Sequence, residues 1–127
     1  MLQHAGVATR LPAQDLARAR AWYAEKLGLE PSEERPGGLL YRCRHGTFAL
    51  FESAGAPSGM HTQMGFEVED IEARGVVFEE YDMPGMTSVN GIVEVPGNYP
   101  SKGGAGERAV WFKDSEGNLL GIGQPIR

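Results

Sequence analysis

Residues 3–11 (QHAGVATRL) alternate small or apolar positions with polar ones, the period-two pattern of a short strand, and Pro12 is expected to stop it. The period then changes. Leu16, Ala19, Trp22, Tyr23 and Leu27 fall on one helical face, with Arg18, Arg20, Glu25 and Lys26 on the others, so a helix is predicted over 16–27. Asp15 stands where an N-cap belongs and Gly28 where a glycine would end the helix. Three short strands are predicted next, at 29–35, 39–44 and 47–52. Pro36-Gly37-Gly38 separates the first two, and His45-Gly46 turns between the others. The segment SAGAPSG (53–59) reads as a linker.

The second half opens as the first does. Residues 62–68 (TQMGFEV) form a strand pattern, and Glu69-Asp70-Ile71 repeats Gln14-Asp15-Leu16. Further strands are predicted at 76–82, 89–95, 107–113 and 118–123. Asp114–Asn118 (DSEGN) is a turn with glycine available for a positive φ, and 96–107 is expected to be a flexible loop able to act as a lid. The organisation is therefore α+β, a tandem βαβββ repeat in a single domain, with module one at 1–57 and module two at 58–127. The repeat is imperfect. Asp15 to Gly28 spans 13 positions and Asp70 to Gly75 only 5, so module two is 8 residues short of a helix. Either the second helix is lost or the sequence omits a stretch there. Omission is the expectation, because a lost helix would uncover one face of the sheet.

A length of 127 residues suits one domain with a sizeable core. Twelve basic against seventeen acidic residues leave a net charge of −5. That balance lacks the electrostatic footprint of a nucleic-acid or anionic-membrane binder, so neither is expected as a partner. One cysteine, Cys43, cannot form an internal disulfide. No apolar run reaches signal-peptide or membrane-spanning length, and a cytoplasmic location is expected.

Four ordered pieces carry a family resemblance: LPAQDLARARAWYAEKLGLEP (11–31), FALFESAG (48–55), MGFEVEDIEARGVVFEE (64–80) and AVWFKDSEGNLLGIGQ (109–124). Together they resemble the vicinal oxygen chelate (VOC) superfamily of glyoxalase I, bleomycin-resistance proteins and extradiol dioxygenases. The resemblance implies two modules curling a mixed sheet around a shared cleft, and a homodimer. In metal-dependent relatives the first and fourth strands of each module supply His, Gln or Glu ligands. Carried over, those positions are Ala8, Ala49, Gln63 and Gly121, a set that cannot hold a divalent cation. The resemblance thus implies a small-molecule binding protein of the bleomycin-resistance type, without metal or other cofactor, holding an apolar or aromatic ligand. The alternative is a glyoxalase-like lyase or dioxygenase with a divalent metal on a shifted ligand set, for which His4, His61 and Glu52 are the candidates. A third reading is an accessory interaction domain.

The candidate ligand contacts are Arg10, Phe51, His61, Gln63 and Trp111. His61 and Gln63 share a face under strand alternation, and Phe51 shares one with Ala49, while Phe66 faces the other way. Arg10 is placed to pair with an anionic group. Trp111 is expected to wall the ligand with Tyr99 or Tyr81. Cys43, between Arg42 and Arg44, is expected either to carry a lowered thiol pKa or to be a packed strand residue. No Gly-x-Ser-x-Gly, phosphate-loop or Cys-x-x-Cys pattern occurs, which argues against serine hydrolase, nucleotidase and thiol-redox chemistry.

Overall fold

The computed structural model describes residues 1–71, 88–89 and 92–127. The strand expected at 76–82, Tyr81 and residues 72–75 of the segment that falls short of a helix lie outside the described residues. Those described form two compact units. One comprises Met1–Ser58 with Asp114–Asn118, the other Gly59–Lys113 with Leu119–Arg127.

The first unit is a four-stranded mixed sheet with one helix. Strand β1 (Thr9–Ala13) leads into helix α1 (Leu16–Leu27), followed by β2 (Glu33–Arg35), β3 (Gly38–Cys43) and β4 (Gly46–Glu52). The order across the sheet is β1-β4-β3-β2, with β1 parallel to β4 and the other pairs antiparallel. Helix α1 has the predicted bounds and the predicted caps. Asp15 accepts the Arg18 N–H at 2.9 Å, and Gly28 ends the helix at φ 66°, where only glycine avoids strain.

Strand β1 differs from the expectation. It begins at Thr9, since residues 1–8 are exposed and pair with no strand among the described residues, and it runs through Pro12 to Ala13. Proline is tolerated because β1 is an edge strand. The Pro12 carbonyl turns away from β4 to accept the Asn118 side-chain N–H at 3.0 Å, so the missing N–H costs no ladder bond. Strand β2 is shorter than predicted. Arg35 pairs with Gly38 across a two-residue Pro36-Gly37 loop, Gly37 taking φ 74°. Between β3 and β4 the turn is Arg44-His45, with Gly46 already in the strand.

The core of this unit lies between α1 and one sheet face. Ala19 and Tyr23 point from the helix to Leu11, Leu39, Tyr41, Phe48 and Leu50, all buried. Tyr41 and Phe48 stack with centroids 4.8 Å apart, and Tyr23 leans on both rings. The Asp114–Asn118 turn closes the unit. Asp114 Oδ2 accepts the Tyr23 hydroxyl at 2.7 Å and the Asn118 side-chain N–H at 2.8 Å, while Oδ1 accepts the backbone N–H of Glu116 and of Asn118, both at 2.9 Å. Gly117 takes φ 88°, the positive angle expected of it.

Glu116, its side chain fully buried, sits at the start of α1. It accepts the Asp15 backbone N–H, a two-point Arg18 fork at 2.8 and 3.0 Å, and the Ser115 hydroxyl. A carboxylate there satisfies an otherwise unpaired donor and complements the helix dipole.

The second unit is a five-stranded mixed sheet: β5 (Met64–Glu67), β6 (Ser88–Val89), β7 (Ile92–Pro96), β8 (Gly106–Lys113) and β9 (Leu119–Ile126), in the order β5-β9-β8-β7-β6. Strand β5 runs parallel to β9 and the remaining pairs are antiparallel. The single strand expected at 89–95 is instead two, with Val89 paired to Ile92. The intervening Asn90-Gly91 is the strongest short-range hairpin signal a sequence carries. The predicted strands at 107–113 and 118–123 appear as the longer β8 and β9. Leu120, Ile122, Val110 and Phe112 are buried on one face of this sheet.

The connection between β7 and β8 is tied down rather than loose. Gly97 and Asn98 donate to the carbonyls of Ala105 and Gly104, and a 3-10 turn, Pro100–Lys102, fills the tip. Lys102 Nζ lies 2.6 Å from Glu67 Oε2, and that carboxylate holds the ammonium above its ordinary pKa.

Two predictions follow from the turn network. Tyr23→Phe, which removes one buried donor from Asp114, is expected to cost about 1–2 kcal/mol in a urea melt. The second concerns acid. Glu116 is held down to about 2 from 4.5, chiefly by the Arg18 hydrogen bond, so its contribution is complete above about 4.5 and disappears as pH falls through about 2. Glu116→Gln should therefore lower stability at neutral pH and flatten the stability–pH curve between those values. An unchanged slope in that window would contradict the assignment.

Candidate functional site

Alternation along the paired strands divides each sheet into two faces. In the first unit Leu11, Ala13, Phe48 and Leu50 point to the core. The opposite face carries two ladder rows. One runs Arg10–Ala49–Leu40–Glu33, the other Pro12–Phe51–Gly38–Arg35. Phe51 thus shares a face with Ala49 and Arg10, as the alternation predicted. Pro12, Leu40, Ala49 and Phe51 are half-buried, and Arg10 is exposed.

In the second unit the corresponding ladder is Gly65–Gly121–Trp111, beside Glu67–Gly123–Ala109. Phe66 pairs with Ile122 on the opposite face, as expected. The first- and last-strand positions carried over from metal-dependent relatives have the same stagger in both units. Ala49 pairs with Arg10, two residues after Ala8, and Gly121 pairs with Gly65, two residues after Gln63.

These four positions do not fit a metal. Ala8, Ala49 and Gly121 have no donor atom, which leaves the Gln63 amide alone where about three protein ligands are needed. Gly121 is lined by its neighbours at van der Waals distance. A Cβ there would meet Trp111 Nε1 at 3.4 Å and Thr62 Cγ2 at 3.5 Å, so the indole lies against the position where relatives hold a ligand. At Gly123 a Cβ would collide with the Glu107 carboxylate. Among the described residues no three His, Cys, Asp or Glu side chains converge on a metal position.

The remaining candidates are placed as follows. Gln63 is bound to the last strand, its N–H donating to the Leu119 carbonyl at 2.8 Å, and is half-buried. His61 is exposed and precedes the strand, which starts only at Met64, so strand alternation does not govern its direction. Tyr99, expected beside Trp111, is 73% exposed at the β7–β8 connection. Cys43 is exposed at the end of β3, and partial burial pushes its thiol up rather than down. Arg42 does not lower it because that guanidinium is on the other face, 3.0 Å from Glu33. Arg35 was not among the sequence candidates. Its signal was available in Gly38, whose missing side chain leaves room for the arginine stem.

The chain belongs to the Glyoxalase/Bleomycin resistance protein/Dioxygenase superfamily, whose family profile matches residues 2–122. Among solved structures it resembles a glyoxalase/bleomycin resistance protein/dioxygenase from Alicyclobacillus acidocaldarius, with 17% identity over 98% of this chain and 93% of that one and a TM-score of 0.63. It also resembles a lactoylglutathione lyase from Agrobacterium tumefaciens, with 22% identity over 95% and 93% of the two chains and a TM-score of 0.56. A third is a bleomycin-binding protein in complex with bleomycin, with 17% identity over 95% and 98% and a TM-score of 0.56. No curated protein matches the chain. Identities this low establish a fold shared by binding proteins and enzymes, not an activity. Among the described residues no helix is long and apolar enough to cross a membrane.

The packing at Gly121 makes a direct prediction. In a Trp22→Phe background, where Trp111 is the only remaining tryptophan, Gly121→Leu should displace the indole and change its emission maximum. Unchanged emission would mean that the indole does not cover Gly121.

Proposed function

We propose that this protein binds a small apolar or aromatic molecule without a metal, in the manner of bleomycin-resistance proteins. Arg10 and Phe51 of the first unit, and His61, Gln63 and Trp111 of the second, are the proposed contacts. The observation that carries this reading is the exchange at the ligand positions: two alanines and a glycine where donors would stand, with an indole laid against the glycine. Such a substitution replaces a point of coordination with apolar surface, which is what a cavity for an organic ligand uses. The fold likeness to a bleomycin-bound structure supports a binding role. The likeness to a lyase keeps the metal-dependent lyase or dioxygenase as the second reading. A homodimer and a cytoplasmic location belong to the same proposal.

Metal analysis decides between the readings. Protein purified without chelator and dialysed against Mn, Ni, Zn and Fe(II) is expected to retain well under about 0.1 equivalent per chain, where a built three-ligand site would retain about one. Aromatic compounds should raise the melting temperature equally with and without EDTA. About one tightly held equivalent per chain would overturn the metal-independent reading.

A further inference from the structure

We propose that the sheet face bearing Arg10 and Arg35 takes the charged group of an organic anion whose apolar body lies on Leu40, Ala49 and Phe51. The inference rests on the small-molecule reading above and narrows the ligand class.

The first argument is charge. The face holds three arginines and one glutamate, in a chain whose acids outnumber its bases by seventeen to twelve. Arg42 is engaged by Glu33 at 3.0 Å. On the other side of the sheet and elsewhere, Arg18, Arg20 and Lys102 are each matched by a carboxylate. Among the described residues Arg10 and Arg35 form no ion pair. They stand at opposite corners of the two ladder rows, three strand spacings or about 14 Å apart across the sheet, with the apolar positions between them.

The second argument is how Arg35 is held. A Cβ on Gly38 would come within 2.9 Å of Arg35 Nε and 3.1 Å of its Cγ, so glycine at this position lets the arginine stem lie along the sheet beside Phe51. A side chain already laid on the face loses less freedom when it binds. A guanidinium fork is matched to the paired oxygens of a carboxylate, sulfonate or phosphate, and its plane stacks on aromatic rings. A neutral or cationic ligand would make no charge-assisted bond to either arginine.

The test uses two dyes with one aromatic body, 8-anilinonaphthalene-1-sulfonate and N-phenyl-1-naphthylamine, which lacks the sulfonate. In low salt the sulfonate is expected to bind at least about tenfold more tightly, and that preference should shrink as salt is added. The double variant Arg10→Gln/Arg35→Gln should reduce the ratio to about 1–3, whereas Lys26→Gln/Arg44→Gln, with the same charge loss elsewhere, should preserve it. Gly38→Ala should lower the ratio with no change in charge. Equal binding of the two dyes, or a ratio unaltered in the Arg10/Arg35 variant, would overturn the anion inference and leave small-molecule binding standing. Failure of both dyes to bind would overturn the two together. Circular dichroism of each variant confirms the fold, and the salt dependence of the wild type needs no variant at all.

Discussion

The Asp114 carboxylate is the constraint from which the first unit is organised. Burying a charge is costly unless it is fully satisfied, and this one accepts four hydrogen bonds. Two shape the turn, one holds the Asn118 side chain, and one fixes the Tyr23 ring against Tyr41 and Phe48. Asn118 in turn grips the Pro12 carbonyl of β1. Once Leu11, Phe48 and Leu50 are committed to the core, alternation commits Arg10, Ala49 and Phe51 to the opposite face. A register slip of one residue would exchange the two sets. The turn therefore settles which side chains the sheet offers to a ligand, although none of its own residues lies on that face.

The second sheet is built on a different economy of space. Gly121 and Gly123 present bare backbone, and the neighbouring strand β8 fills the vacancies with Trp111 and Glu107. A side chain placed at Gly121 would start in van der Waals contact with the Trp111 indole. Gly121 and Trp111 are paired neighbours across β8 and β9, so the bare backbone of one faces the indole of the other.

Much of the fold was legible because local signals agreed with one another. Helix α1 had a period, an N-cap and a C-terminal glycine that all indicated 16–27. The Asp114–Asn118 turn had both its glycine and its acid in place. The misreadings arose where one signal was taken alone. Pro12 was read as a stop, but its effect depends on which edge of the strand is unpaired, and that is a tertiary fact. The strand at 89–95 was read through an Asn-Gly pair that marks a hairpin. The glycine-rich stretch after Pro96 looked flexible, yet its ladder bonds and the Lys102–Glu67 pair are long-range features. For the site, alternation placed Phe51 with Ala49 correctly. It had no purchase on His61, which precedes the strand, or on Arg35, whose course depends on the space above Gly38.

Magnitudes explain why the charged group matters to a site of this kind. Burying about 150–250 Å² of an aromatic body, at about 25 cal/mol per Å², gains about 4–6 kcal/mol. Association alone costs about 4–15 kcal/mol, so apolar contact by itself yields little or no net affinity. A metal-dependent relative has a divalent cation to supply the difference at one point, by binding oxygens directly. At the four positions carried over from such relatives this chain offers only the Gln63 amide, and its overall charge is negative. Hydrogen bonds to a charged partner contribute about 1.5–3 kcal/mol each, and a guanidinium can make two in parallel. In the proposed binding mode an exposed arginine at either end of the apolar strip would add a smaller, salt-screened contribution to that of the strip. The two would act at separated points rather than one. Under that proposal specificity would depend on the distance between charge and apolar body, a spacing that the ladder register fixes.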